Sequence, residues 1–323
     1  MGMRDTPIRG KKGFAFTLMA IIVVGLLIAS VAYRERVMYK AQADRAGVRI
    51  EIMNEFVKNT QEDLIRATEI ISFRTILSLE QYIVEAGIPL DDVELRFAEL
   101  MLNGSVNNTI VSLMENSTLT NWTSKLSREA SRMDASVRVH IRTITLNHID
   151  PWNVEAHFNI STEIDDDKGA ASWDVDNIFS VVVPIEGFED PTIALNTLGR
   201  VSSQITRGNL SPYVDPATND TTNLLWFING SYYRNNSQGP SFLDRMEGNL
   251  SASPHGIERL LNLQEFLIQD VEIEEFSVVD WMYFRGINDT TYQIEGVSDQ
   301  TGYTWFVLDL NATYRYDCDQ LIT

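Results

Sequence analysis

The chain has 323 residues, is 44% hydrophobic and 22% charged, and carries a net charge of −19. That is enough apolar material for one or two packed domains, and so acidic a surface argues against nucleic acid as a partner, because nucleic acid selects basic faces. The single cysteine, Cys318, excludes an intrachain disulfide.

The first predicted element is the run Gly13 to Tyr33, GFAFTLMAIIVVGLLIASVAY, which contains no charge, proline or asparagine. About 20 apolar residues suffice to cross a bilayer as a helix. Arg4, Arg9, Lys11 and Lys12 precede the run with one acid, Asp5, and the positive-inside rule places that flank in the cytoplasm. The far flank is also basic (Arg34, Arg36, Lys40, Arg45) but diluted by Glu35 and Asp44.

Sequons strengthen the orientation. N-x-S/T triplets begin at Asn103, Asn107, Asn116, Asn121, Asn159, Asn209, Asn219, Asn229, Asn235, Asn249, Asn288 and Asn311, which is 12 of the 22 asparagines. Ordinary composition would give roughly three. All follow the apolar run, as expected of a translocated, N-glycosylated surface. The expected plan is a basic cytoplasmic leader over 1–13, a membrane helix over 14–33, and everything beyond outside the cell. A cleaved secretory signal is the alternative. The run is longer than the usual apolar core of such signals, and Ala29-Ser30-Val31-Ala32 is a weak cleavage pattern.

From Arg34 to Ala86 there is no proline and one glycine, Gly47. Met53, Val57, Thr60, Leu64, Ala67 and Ile71 recur at three- and four-residue steps between charged positions, so 34–88 reads as an amphipathic helix continuing the anchor, with a bend available at Gly47. Gly87 and Pro89 end it. A head follows over 89–189. It opens with a short helix, Val93 to Leu102, passes a sequon-crowded loop, and becomes helical again over Lys125–Ala135. Arg138, His140 and Arg142 then alternate with Val137, Val139 and Ile141, a two-residue period that marks a strand. Trp152–Glu163 and Ser172–Pro184 are the next strands, with a turn at Asp165–Gly169 between them. This is an antiparallel meander laid on the helix. A second α+β lobe is expected over 190–323. Its predicted strands are Leu224–Ile228, Phe276–Arg285, Tyr292–Val297 and Trp305–Tyr316, and Ile257–Gln269 reads as a helix.

Arg9-Gly10-Lys11-Lys12-Gly13, followed by Phe14-Ala15-Phe16-Thr17-Leu18-Met19, resembles the class III leader of type IV pilins and archaeal pilin-like proteins. In that family a dedicated prepilin peptidase cuts behind a basic leader ending in Gly or Ala and leaves the apolar helix on the mature protein. The resemblance implies cleavage between Gly13 and Phe14; aligning Phe16-Thr17-Leu18 with the bacterial Phe-Thr-Leu puts it between Ala15 and Phe16 instead. The family's major bacterial pilins keep a Glu at the fifth mature position, where this chain has Leu18 or Ala20. Within the family its absence is typical of tip-located minor pseudopilins and of many archaeal pilins. An archaeal envelope also suits a sequon-rich chain without disulfides. The resemblance covers about 25 residues, or about 80 with the long helix, and implies other pilin-like subunits as partners through that helix.

Chemical motifs are sparse. Asp165, Asp166, Asp167, Asp174 and Asp176 are candidate ligands for a structural calcium, since clustered carboxylates suit that ion, although an EF-hand spacing is absent and a solvated turn explains them equally well. His140 and His157 are placed to face each other across strands, but a zinc site would need further ligands. Ser241, Asp244 and His255 contain the residue types of a hydrolytic triad; a turn and a helix cap account for the same stretch. Trp281, Tyr283, Phe284 and Trp305 suit either core packing or sugar stacking. No phosphate loop, nucleophile elbow or dinucleotide fingerprint is present. No catalytic residue or other cofactor is assigned, and an enzyme ranks behind two other readings. The first is a pilin-like, membrane-anchored glycoprotein subunit of a filament or secretion apparatus. The second is a single-pass surface glycoprotein that binds a ligand or glycan through its C-terminal lobe.

Overall fold

The computed structural model describes residues 11–323, with the side chains of residues 11–13 and 15 outside the description. The fold combines helices with small antiparallel sheets around one long N-terminal helix. That helix, α1 (Lys11–Ala86), runs unbroken for 76 residues, about 114 Å at 1.5 Å per residue. Gly47 lies inside it without interrupting it. The helix ends at Gly87, whose positive φ of 64° suits glycine at a helix terminus.

α2 (Val93–Asn103) is capped by Asp92, whose side chain accepts from the Leu95 N–H. A two-residue hairpin, β1 (Ser105–Val106) and β2 (Thr109–Ile110), leads to α3 (Leu119–Arg132), which starts six residues before the predicted helix because Thr118 caps it. The meander follows as β3 (Ala135–Asp150), β4 (Asn153–Asp166) and β5 (Ser172–Pro184), in sheet order β3-β4-β5 and antiparallel throughout. One sheet face turns Val154, Ala156, Phe158 and Ile160 of β4 and Val181 and Val183 of β5 into a core with Leu64, Ile71, Ile76, Leu79 and Ile83 of α1. The other face carries Arg138, Glu163 and Asp165 in mutual ion pairs. Polar–apolar alternation along each strand dictates this arrangement.

The C-terminal part consists of short elements: α4 (Pro191–Asn196), α5 (Thr222–Asn229), β6 (Tyr233–Asn235), α6 (Phe242–Met246), β7 (Ile257–Arg259), α7 (Leu263–Ile268), α8 (Asp280–Phe284), β8 (Thr291–Gln293), β9 (Val307–Asp309) and α9 (Leu310–Arg315). Several expectations are corrected here. The predicted strand at 224–228 is helix α5, and that at 276–285 holds helix α8. The predicted helix at 257–269 is strand β7 followed by α7, and the predicted strand at 305–316 is β9 followed by α9. Short apolar runs carry no period that separates a buried helix from a strand. The overlooked signals were caps: Asn262 accepts from the Gln264 N–H and Asp309 from the Ala312 N–H, each starting a helix inside the run.

Phe242, Leu243, Met246 and Ile257 join the α1–sheet core, while the remaining C-terminal elements close a second one around Phe227, Leu260, Phe266, Phe306 and Tyr316. Between the two lies a fully buried charge cluster. Arg245 Nη1 meets Asp190 at 2.7 Å and Asp280 at 2.8 Å, with no side-chain exposure on any of the three. Tyr233 donates its hydroxyl proton to Asp190 at 2.8 Å. Nearby, Glu258 is buried and accepts from Arg315 at 3.0 Å, from Asn236 at 2.6 Å and from Trp281 at 3.2 Å. Burial pushes the Asp280 carboxyl up to about 6 against the pull of Arg245. Burial alone would lower the Arg245 guanidinium, but the charges of Asp190 and Asp280 hold it above its ordinary value.

Removing one partner of a buried ion pair leaves an uncompensated charge, at about 3–5 kcal/mol. Arg245→Ala is therefore expected to lower the urea midpoint of unfolding by an amount equivalent to that loss. A shift below about 1 kcal/mol, within the range of exposed pairs, would mean that the cluster does not hold the two cores together.

Candidate functional site: the projecting helix and the head it carries

α1 divides into two stretches with opposite surroundings. Phe16 to Tyr33 is exposed at every residue, with Phe16 at 77%. It is long and apolar enough to cross a membrane, and its most apolar stretch is not buried against any of the described residues. From Met53, which is 0% exposed, the helix packs against the head through Val57, Leu64, Ile71, Ile76, Leu79 and Ile83. Between Tyr33 and the first head contact at Arg49 lie 15 residues of exposed helix, so the two are separated by a stem of about 24 Å.

Arg49 marks where the head begins. Its guanidinium donates to Asp166 Oδ1 through Nε at 2.9 Å and Nη2 at 2.7 Å, and to the carbonyls of Met133 and Asp134 at the start of β3. Asp166 also accepts from the Ala170 N–H at 2.9 Å. That backbone bond and the Arg49 charge hold its carboxyl below the ordinary aspartate value. The clamp thus ties the helix to the base of the sheet through the turn that the sequence offered as a calcium site.

The five aspartates are not gathered into a ligand set. Asp166 is committed to Arg49, Asp165 to Arg138 at 2.9 Å and Ser172 at 2.6 Å, and Asp176 to Arg142 at 2.9 Å. Asp167 is exposed on the turn, and Asp174 is exposed opposite Glu163. Among the described residues no group of three or more His, Cys, Asp or Glu is arranged to hold a metal ion. Alternation sends Asp166 to the face opposite Asp165, while Asp165 and Asp176, on one face with Asp174, are drawn into ion pairs with Arg138 and Arg142.

The histidines are likewise apart. His140 stands opposite Ser161, and His157 opposite Thr145. Sequence reasoning missed the pair that does form: His148 and His255 stack with ring centroids 5.9 Å apart. His148 Nε2 accepts the Leu243 N–H at 3.3 Å while Nδ1 faces the Asp150 carbonyl at 3.2 Å, an arrangement of the neutral ring. Burial, with a smaller contribution from His255, lowers its basicity. The triad types are used differently as well. Ser241 and Asp244 form a capping box on α6, and His255 stacks on His148. Of the aromatics offered for sugar stacking, Trp281 and Tyr283 are buried, while Phe284 and Trp305 are partly buried against the second core. Cys318 is buried, and burial pushes its thiol up to about 12.

Ten of the twelve sequon asparagines are exposed; Asn121 and Asn159 are half-buried. Asn159 sits in mid-β4, and its Oδ1 is buried without a hydrogen-bond partner. Of the four residues flanking the expected cleavage registers, Gly13, Phe14, Ala15 and Phe16 all lie in helical backbone, and Phe14 and Phe16 are exposed. The leader upstream of Lys11, with Arg4, Asp5 and Arg9, lies outside the described residues. Comparison with protein-family models, curated proteins and solved structures finds no match.

Glu80 is the group on α1 least suited to its place. It is 6% exposed, and it accepts the Glu189 N–H at 2.6 Å while its other oxygen has no partner. Burial pushes its carboxyl up to about 8 from the ordinary 4.5; the Glu189 N–H opposes this, and the Glu189 and Asp190 charges add to it. A folded value above the unfolded one means the protonated form stabilises the fold. That contribution is complete below about pH 4.5 and is lost as pH rises through about 8. Glu80→Gln is expected to stabilise the fold at pH 9 by on the order of 2 kcal/mol, read as a higher unfolding temperature, and to change little at pH 4. An equal effect at both pH values would rule out titration as the cause.

Proposed function

We propose that this chain is a pilin-like, N-glycosylated subunit held in a cell membrane by the first part of α1, with its bulk on the outer surface. In this reading it is a minor or tip component of a type IV pilus-like filament or secretion apparatus. One observation carries the reading: a single helix leaves its whole apolar first stretch uncovered and packs a head onto its second. A soluble protein has no use for so large an uncovered apolar surface. A lipid bilayer covers it, and so does a bundle of like helices.

Helical backbone satisfies its own hydrogen bonds and so tolerates either environment. That property lets one segment serve as anchor before assembly and as packing surface afterwards. The partners in this reading are the membrane, a prepilin peptidase that removes the leader, and other pilin-like subunits that meet α1. N-glycans on the exposed sequons complete the outer surface. The stem between Tyr33 and Arg49 then lifts the head about 24 Å from the lipid.

The mature N-terminus, read by mass spectrometry of protein recovered from its own membrane, tests the reading directly. A start at Phe14 or Phe16 is expected. A start at Met1 or Gly2 would leave an ordinary membrane-anchored glycoprotein and end the filament proposal. Glycopeptide mapping of the same material should find sugar on exposed sequons and none on Asn159, whose amide oxygen is buried within the sheet. Modification of Asn159 would contradict the packing of β4.

A further inference from the structure

Trp226 is 45% exposed on α5, although the core elements around it bury their aromatic rings. One face of its indole is backed by Tyr232, with centroids 4.0 Å apart and planes 21° from parallel. The Tyr232 ring is held there by the turn at Gly230, where an added Cβ would stand 2.0 Å from it. A flat aromatic surface with one face supported and the other open is the usual seat for the C–H face of a pyranose ring. Backing by Tyr232 removes the rotamer freedom that would otherwise oppose binding.

What would sit on it is marked by the next turn of the same helix. Asn229 follows Trp226 by three residues, the spacing at which side chains on a helix are neighbours. It is the asparagine of the sequon Asn229-Gly230-Ser231 and is exposed. Tyr303 donates its hydroxyl proton to Asn229 Oδ1 at 2.7 Å. Among the described residues it is the one exposed sequon asparagine whose amide oxygen is held by a tyrosine. This bond leaves Nδ2, the atom that carries an N-linked sugar, directed away from Tyr303.

We infer that the first sugar on Asn229 lies on the open face of Trp226, so that Trp226, Tyr232 and Tyr303 form an intramolecular seat for it. The inference rests on the glycoprotein reading above. Attachment uses an activated glycosyl phosphate donor: the Nδ2–C1 bond forms, the C1–O bond to phosphate breaks, and one amide proton leaves. The Oδ1 acceptor used by Tyr303 survives attachment, so the amide orientation is the same before and after. The seated glycan would cover the largest exposed aromatic on this lobe and tie α5 to the loop carrying Tyr303.

The test is a double-mutant cycle on the full chain expressed in its own cells, with occupancy of Asn229 measured by glycopeptide mass spectrometry. Trp226→Ala should lower the unfolding temperature about 2–4 °C more in the glycosylated protein than in the Asn229→Gln background. Loss of the Tyr232 stack is common to both backgrounds and cancels in the cycle. Tyr303→Phe, which removes only the hydroxyl, should reduce the coupling between Trp226 and the glycan. Equal shifts in both backgrounds with Asn229 occupied would overturn the seat and leave glycosylation intact. Asn229 bare while other exposed sequons carry sugar would also overturn the seat alone; all sequons bare would overturn the glycoprotein reading with it.

Discussion

A guanidinium with no access to water has to be neutralised where it sits. Arg245 obtains this from Asp190, at the start of α4, and Asp280, at the start of α8. Neither acid is near it in sequence, so the ion pairs specify a three-way closure of the chain. They bring the segment leaving the sheet, the short helix α6 and the distal helix α8 to one point. The desolvation of three charges opposes folding, and the geometry offsets it only when all three groups arrive together. That requirement makes the junction between the two cores specific rather than merely sticky. Short apolar elements alone would tolerate many arrangements.

The same junction meets α1. Glu80 accepts the Glu189 N–H one residue before Asp190, so the helix, the end of the meander and the charge cluster share one neighbourhood. At the other end of the head, Arg49 holds the turn between β4 and β5 through Asp166. The head is therefore fastened to the helix by polar contacts at both ends and by apolar packing along the middle. Among the described residues, none of α1 before Arg49 is buried against the head. Its structure there is maintained by its own hydrogen bonds and, in the function proposed, by lipid or neighbouring helices.

The helix and the meander were legible because their patterns are long. A repeat of three and four over Met53–Ile71, or an alternation sustained along β3, admits one interpretation even when individual residues deviate. The exposed sequons, the short helix α2 and the turn at Asp165–Gly169 were legible for a related reason: each is a local signal with a local cause. Among the candidate site residues, Asp166 shows the limit. Its place in an acidic cluster suggested a cation, but a strand sends neighbours to opposite faces, and Asp166 found Arg49 from 117 residues away. Leu224–Ile228 shows another limit. Five apolar residues fit a strand or a buried helical turn, and the packing of Leu224, Phe227 and Ile228 into the second core selected the helix.

By itself the sequence determined the mixed helix-and-sheet class, the one long N-terminal helix with its uncovered apolar stretch, the antiparallel meander and the exposure of most sequons. These follow from periodicity, capping and composition, which act over a few residues at a time. Only the tertiary structure decided the Arg49 clamp, the Arg245 cluster, the pairing of His148 with His255 and the backing of Trp226 by Tyr232 beside Asn229. Each of these depends on side chains meeting in space through buried or semi-rigid contacts. Such meetings are chosen by the packing of the whole chain, and no short stretch of residues encodes them.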